Sequence, residues 1–514
     1  MAAPKAGLSR GGFLNPPRLF TAAILVFVVA SRWALAPHYL YYFDSANFAL
    51  ALENFNPALH EPQPPGYPLF VALTRLLHLW IREPETVFLV AGLLAACAAI
   101  ALIRVFASSL FGRAAGLLAM ALLASNPVFW FGGITNEIRV FLALCSLGVG
   151  LCAWRAVTAD PADARWLYAT FTALGLAAGF RPVAALLLSP ACLWAWSRKG
   201  FSFRQRLLAL AMLLGVVVPC AAVTVAAMGG TARVADVLWG YAVGQFQGSS
   251  ALFGAVPPAA FQMFLHALVW NFRGAIVWLW ALPLVIKLPL PKPLRIKAVF
   301  LALMFLPTFL FSGFVHIGDP DQALASVAIL CVVGGGVLAA AFRLQPGPDF
   351  WKRLARVSVA VVAAGVFLFF VPPTRIAKAA SYQAAAAVNR MTAAAMNSVE
   401  ALRGGGPVTI IHYGSAVASR QLMYYFPDDY VVELAGRPDQ PDPNQPPRVF
   451  YHHQPLSTPS GKGLILPGSR RILCLVPPGA VPPGPQVWQK YGPVFFLAAV
   501  PGGALQIGPF VLER

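Results

Sequence analysis

The thirteen residues "PLFVALTRLLHLW" (68–80) decide how the rest of the chain is threaded. They are apolar but few, and Arg75 and His78 interrupt them. A helix that crosses a bilayer needs about 20 predominantly apolar residues. If this run crosses, every later loop changes side; if it lies in the interface, none does. Charge separates the two cases. The loops "RKGFSFRQR" (198–206), "KLPLPKPLRIK" (287–297) and "RLQPGPDFWKRLAR" (343–356) are basic, and Lys5, Arg10 and Arg18 precede the first apolar run. Basic segments collect on the cytoplasmic side of a membrane. Only an interfacial or half-inserted helix at 68–81 brings all four basic segments to that side.

Outward from this point, further apolar runs lie near 19–36, 87–106, 113–130, 139–157, 166–180, 182–197, 207–228, 261–285, 298–313, 322–342 and 357–372. They predict an α-helical polytopic membrane protein with about eleven transmembrane helices and amphipathic helices in the first outer loop. The chain's 514 residues are 58% hydrophobic and only 11% charged, against about a quarter charged in soluble domains. The formal charge of +19 resides in short loops between apolar runs, which argues for membrane topology and against nucleic acid. Six of the seven cysteines sit inside apolar runs as small hydrophobes, and Cys474 alone lies outside them, so neither a disulfide framework nor metal-ligand spacing is present. The N-terminal run reads as an uncleaved anchor.

With this threading the N-terminus is cytoplasmic. The 37–66 loop, "GGITNEIR" (132–139), "GFRP" (179–182), the loop 229–260, "GFVHIGDPDQ" (313–322) and everything after 372 face the outer side, whereas "TADPADAR" (158–165) faces inward. Residues 1–372 form the membrane domain and 373–514 a small extracytoplasmic α/β domain. In the latter, "RIAKAASYQAAAAVNRMTAAAMNSVEALR" (375–403) is an Ala-rich helix former. "VTIIHY" reads as a buried strand, "GSAVASRQLMYYF" as a helix and "DYVVEL" as a second strand, together a βαβ unit. Short strands follow at "RVFYH", "GLILP", "RILCLV" and "FFLAAV". No glycine fingerprint follows the first strand, so no dinucleotide site is expected.

Acidic groups beside a membrane are costly and rare, which makes each one a functional candidate. Asp44 lies just beyond the first span, ahead of "SANFALALENF", where a helix N-cap is the plainer reading. Glu137 lies at the outer end of a span, where pairing with Arg139 would also account for it. Arg181 lies where two spans meet, a place for a snorkelling anchor. His316 lies in an outer turn with Asp319 and Asp321. Four prolines crowd residues 62–68, the sequence "HEPQPPGYP" giving a stiff, sharply turned exit from the first loop. Taken together, an arginine able to grip a phosphate and carboxylates able to accept a hydroxyl proton fit phosphate-ester chemistry at the outer face.

An early Asp44 in the first outer loop, followed by the pattern His-x-Pro-x-Pro-Pro-Gly-Tyr-Pro (60–68) entering a short helix, resembles the type-C glycosyltransferases, among them the lipid A aminoarabinose transferases and protein O-mannosyltransferases. Across residues 40–200 the order of features agrees: the first acid, Pro-Pro-Gly-Tyr, a basic "FGR" turn, a second acid at the top of a span, and a basic residue at the next outer turn. The resemblance implies a sugar taken from a polyprenyl-phosphate carrier. Asp44 matches the essential first-loop acid and Glu137 the second; together they are the expected catalytic pair. Arg181, with His316, His60, Gln63 and Tyr67, is expected to bind the lipid phosphate and donor. Two departures stand out: Asp44 is followed by Ser45 where many relatives have a second acid, and Gln63 stands where aminoarabinose transferases carry a basic residue.

The resulting expectation is a glycosyltransferase that moves a sugar from a polyprenyl phosphate to a lipid or glycan acceptor at the outer face of the bacterial inner membrane, with inversion. Membrane lipids are partners and nucleic acid is not. No cofactor is assigned: some relatives need a divalent cation such as Mg or Mn, yet the acids here are too few for an all-protein cage. The alternatives are a secondary transporter, which would place its polar groups at mid-membrane and show repeated halves, and a non-catalytic membrane assembly protein.

Overall fold

The computed structural model describes residues 16–513 apart from 136, 161–162, 251–256, 287–290, 416, 435, 438–439, 442–446, 457–462, 466–470, 478, 483–486, 498–504 and 508–509. The chain divides into two compact units: Met1–Ala36 with Phe88–Ala222 and Trp239–Ser381, and Pro37–Val87 with Val223–Leu238 and Tyr382–Arg514. The segment Pro37–Val87 thus groups with the tail.

The first unit is helical. Across the described residues of the chain, seven helices are long and apolar enough to cross a membrane: Pro16–Leu35, Pro84–Phe111, Ile138–Thr158, Phe203–Met228, Lys292–Val315, Pro320–Ala341 and Phe350–Phe370. An eighth is the pair Arg113–Ala124 and Pro127–Thr135, bent by 52°. Chemistry at the bend explains it. Asn126 accepts from the amides of Val128 (3.0 Å) and Phe129 (3.2 Å), while Pro127 occupies the first position of the new helix, where no amide hydrogen is needed. The helices Arg165–Phe180 and Pro182–Ser197 are shorter, at 16 residues each.

Small residues set the closest approaches in this unit, as membrane helices require when packing replaces the hydrophobic effect. Three consecutive glycines in the helix Leu324–Ala341 meet three different neighbours. A Cβ on Gly334 would lie 2.5 Å from the Trp278 ring, on Gly335 2.4 Å from the Ala115 carbonyl, and on Gly336 2.8 Å from the Phe111 ring. Two arginines are buried here as helix-end ligands. Arg32 donates to the carbonyl of Ala124 (2.8 Å) at the end of a helix and lies 5.2 Å from the Trp130 ring. Arg273 donates to the carbonyls of Leu368, Ala377 and Ala380. Each supplies donors to carbonyls that a helix terminus leaves open.

The second unit is an α/β domain joined by the first-loop segment. The strand Val408–His412 is buried along its whole length. It pairs in parallel with Tyr430–Glu433 on one side and Arg471–Leu475 on the other, as its unbroken apolar run predicts. Antiparallel strands Arg448–Tyr451 and Gln454–Leu456 extend one edge, and Val494–Leu497 and Trp488–Tyr491 the other, giving seven strands. The expected helix in the βαβ crossover is shorter than read, Ser419–Tyr425. The Ala-rich segment forms Arg375–Lys378 and the long Tyr382–Arg403. Strands at Gln454–Leu456, Trp488–Tyr491, Leu505–Ile507 and Phe510–Glu513 were not legible beforehand. The run at 68–81 forms the helix Pro68–His78, whose 11 residues are about half a span.

Candidate active site

In the membrane unit, four segments converge on one cluster. Arg181 sits between the helices Arg165–Phe180 and Pro182–Ser197 in extended backbone, and Pro182 starts the second helix. Its side chain is buried rather than snorkelling, 6% exposed, and donates 2.8 Å to Oε1 of Gln322. A neutral amide therefore aims this guanidinium. Gln322 belongs to the short 3-10 turn Pro320–Ala323. The same turn carries Asp321, fully buried against Gly132, where a Cβ would stand 3.1 Å from the Cβ of Asp321. Glycine at 132 thus admits the acid.

Arg139, one turn into its helix, is 4% exposed and lies 3.7 Å from Asp319 Oδ2 and 3.8 Å from Asp321 Oδ1. Two carboxylates flanking Pro320 thus lie near it. Glu137 opens the helix Glu137–Thr158, but its side chain is outside the described residues. His316 follows the π-helical turn Phe311–Val315, and its amide bonds the Phe311 carbonyl at 2.9 Å. Burial, then the charges of Arg139 and Arg181, push its imidazole down to about 4, so it is neutral at pH 7. Arg139, Arg181 and His316 therefore share one electrostatic neighbourhood. Sequence reasoning named Arg181 and His316 as a site; it missed Gln322 and gave Arg139 only a pairing role. The outer-turn motif "GDPDQ" held the signal, since a proline-started turn fixes polar groups on both sides of it.

The other named residues lie in the second unit. Asp44 is in the first turn of the helix Phe43–Glu53, and Tyr42, not Asp44, occupies the cap position. A carboxylate there meets the positive end of the helix dipole. Asn47, one turn further on, is completely buried, and neither of its amide atoms has a hydrogen-bond partner among the described residues. Gln63 is 3% exposed and its Oε1 is likewise without one. Such groups cost about 1–3 kcal/mol each and mark places where a ligand or water completes the bonding. Asn47 was not singled out from sequence, because an asparagine in an apolar helical run carries no local signature.

The proline knot holds its shape by backbone and by a distant arginine. Asn56 and Glu61 exchange backbone hydrogen bonds of 2.6 and 3.1 Å. His60 and Tyr67 take left-handed backbone (φ 60° and 49°), beside Gly66 at φ 106°. A Cβ on Gly66 would lie 2.8 Å from Pro57, so the sharp Pro-Gly-Tyr turn needs glycine twice over. Tyr67 packs edge-on against Phe48, ring centroids 5.5 Å apart. Glu61 is buried, accepts 2.7 Å from Asn54 Nδ2 and lies 4.0 Å from Arg420. Arg420 also donates 2.7 Å to the carbonyl of Leu59. Burial, then the charges of Arg420 and Arg448, push the His60 imidazole down to about 4. The upstream end is tied as well: Tyr425 accepts from the Leu40 amide at 2.8 Å and donates to Glu85, and Gln421 donates to the Leu40 carbonyl.

Among the described residues no group of three or more His, Cys, Asp or Glu side chains gathers as a metal cage. Asp319 and Asp321 both face Arg139, a fixed cation that a divalent ion would have to displace, so this donor set does not suit a metal.

Buried arginines among membrane helices, a proline-rich first loop and an α/β tail can be set beside known proteins. Residues 62–225 match the family model for dolichyl-phosphate-mannose-protein mannosyltransferase. The fold is similar to that of ArnT from Cupriavidus metallidurans bound to undecaprenyl phosphate, at TM-score 0.55 and 16% identity over 80% of this chain and 84% of that one. The apo form of ArnT matches at TM-score 0.55 and 15% identity, with the same coverage. Archaeal oligosaccharyltransferase AglB from Archaeoglobus fulgidus, in complex with an inhibitory peptide and a dolichol-phosphate, matches at TM-score 0.42 and 11% identity over 81% of this chain and 70% of that one, too low to argue from. No curated protein matches the sequence. The chain is thus similar to a glycosyltransferase family over residues 62–225 and shares the fold of ArnT.

Proposed function

We propose that the protein transfers a sugar from a polyprenyl-phosphate carrier to a lipid or glycan acceptor at the outer face of the bacterial inner membrane, inverting the anomeric centre. The observation that carries this reading is the buried guanidinium of Arg181, aimed by Gln322 beside a neutral His316. A guanidinium in a dry site is suited to the charge that grows on a departing phosphate. The carrier would be chemically of the kind bound by ArnT, a polyprenyl monophosphate.

In this mechanism Asp44 accepts the proton of the acceptor hydroxyl as it attacks the anomeric carbon, and the carbon–oxygen bond to the carrier phosphate breaks on the opposite face. Glu137 assists as the second acid. Arg181 receives the phosphate, and His316 donates a hydrogen bond from its neutral ring. His60, Gln63 and Tyr67 line the donor side, where the open amides of Gln63 and Asn47 would bond sugar hydroxyls. The N-terminus lies in the cytoplasm and residues 373–514 outside it.

The experiment is transfer from radiolabelled polyprenyl-phosphate sugars by the full chain in proteoliposomes. Asp44→Asn is expected to lower kcat by about 10²–10⁴-fold. Equal transfer by wild type and Asp44→Asn would end the assignment.

A further inference from the structure

At the far end of the membrane unit two cavities adjoin. One, of about 810 Å³, is lined by Arg113, Arg343, Gln345 and Trp351 among others. The second, of about 390 Å³, is a groove walled by apolar side chains such as Leu301, Phe305, Ile329 and Val333. Phe111, Gly336 and Ala340 belong to both, so the polar mouth and the groove lie on either side of a common wall. The contact of Gly336 with the Phe111 ring lets that ring form the shared wall.

Two arginines stand at this mouth. The Arg113 guanidinium lies 5.2 Å from the Trp351 ring centroid, a cation–π contact. Arg113 also opens the helix Arg113–Ala124, whose first amides point toward any anion placed there. Arg343 takes left-handed backbone at φ 47° and ends the helix Leu324–Ala341 with amide bonds from Arg343 to Ala340 and from Leu344 to Ala339. Lys297 adds a third cation beside the wall, donating to the Leu110 carbonyl with its ammonium 5.5 Å from the Phe111 ring. No acidic side chain is among the described residues lining either cavity.

A positive mouth beside an apolar groove has the chemistry of one amphiphile class. We infer that this end of the unit binds an anionic phospholipid of the adjoining leaflet, its phosphate between Arg113 and Arg343 and one acyl chain in the groove. The site is separate from the Arg181 cluster. The helix Leu324–Ala341 has 18 residues, a length of about 27 Å, and it starts beside Gln322 and ends at Arg343.

The test is native mass spectrometry of the full chain in detergent, titrated separately with phosphatidylglycerol, phosphatidylcholine and a polyprenyl monophosphate. Phosphatidylglycerol is expected to be retained in preference to phosphatidylcholine. The double variant Arg113→Gln/Arg343→Gln should lose that preference, by about fivefold per arginine, the attraction of one basic side chain for an anionic headgroup. Ala302→Trp, which fills the groove and leaves both arginines, should lower phosphatidylglycerol binding with no change in melting temperature. Equal retention of the two phospholipids by wild type, unchanged binding in either variant, displacement by millimolar inorganic phosphate, or preference for the polyprenyl monophosphate would each overturn the assignment.

Discussion

The two clusters of candidate residues, one in each unit, are built on opposite principles. In the membrane unit, charge is placed against charge: Arg139 faces Asp319 and Asp321, and Arg181 is aimed by Gln322. These groups come from three stretches of chain and are fixed by burial. In the first-loop segment, shape comes first. Left-handed residues, prolines and paired backbone bonds set the path, and one arginine from the tail clamps it. The difference matches the tasks proposed for each. A phosphate-binding pocket needs a cation that does not relax, and the neutral amide of Gln322 holds Arg181 while leaving its charge uncancelled. An acid that must reach a changing acceptor needs a stiff arm with little charge around it.

This contrast can be broken at several points. Replacing Arg181 with Gln should cost about 10²–10³-fold in transfer, as loss of one preorganised donor to a developing anion does. On the proposal that the group serves the leaving phosphate, the loss should appear in kcat measured at saturating carrier. An effect confined to KM would mean that Arg181 serves binding alone. Asp321→Asn removes one partner of a buried pair whose side chains are 5% and 0% exposed. It should destabilise the membrane unit by about 3 kcal/mol, read as a fall in melting temperature. A neutral outcome would show that Arg139 keeps its place without that charge.

Arg420→Gln tests the loop half. It deletes the 2.7 Å bond to Leu59 and the contact with Glu61, at a cost of about 2 kcal/mol for a charged donor. The loss should be local, seen as faster hydrogen exchange at residues 56–61 with the membrane helices unchanged. If the whole protein melts earlier by the same amount, the clamp is not local and the contrast between halves weakens. The smallest effect concerns pH. His316 is pushed from 6.5 to about 4, so the unfolded chain takes up its proton first as pH falls. Its contribution to stability is complete above pH 6.5 and is lost progressively toward pH 4. His316→Gln should flatten the melting-temperature profile across that window; an unchanged profile would place the acid sensitivity elsewhere, with His60 the next group to test.

What could be read from the chain alone follows the range of the interactions involved. The helical membrane architecture rests on hydropathy, and the parallel βαβ pair on the uninterrupted "VTIIHY", both local patterns that the fold retains. The halt of the 68–81 run at 11 residues was signalled by its own Arg75 and His78. The cap reading of Asp44 failed because the helix starts one residue earlier, at Phe43, a shift that a tyrosine outside the helix does not announce. Arg181 was singled out, yet its partner Gln322 lies 141 positions away. The clamp from Arg420 spans 361. Neither pairing leaves a periodic trace. The buried Arg32 was overlooked because one arginine near the end of a span resembles an ordinary anchor, and only the carbonyl of Ala124 reveals its role.

The glycine triplet 334–336 settles how that helix can behave. Three consecutive positions point along three directions about 100° apart, and each is blocked by a different neighbour. The helix is keyed in its socket like a splined shaft. Turning it about its axis would carry bulkier positions into contacts that only glycine fits, so the segments that flank it, Gln322 before and Arg343 after, are referred to one azimuth.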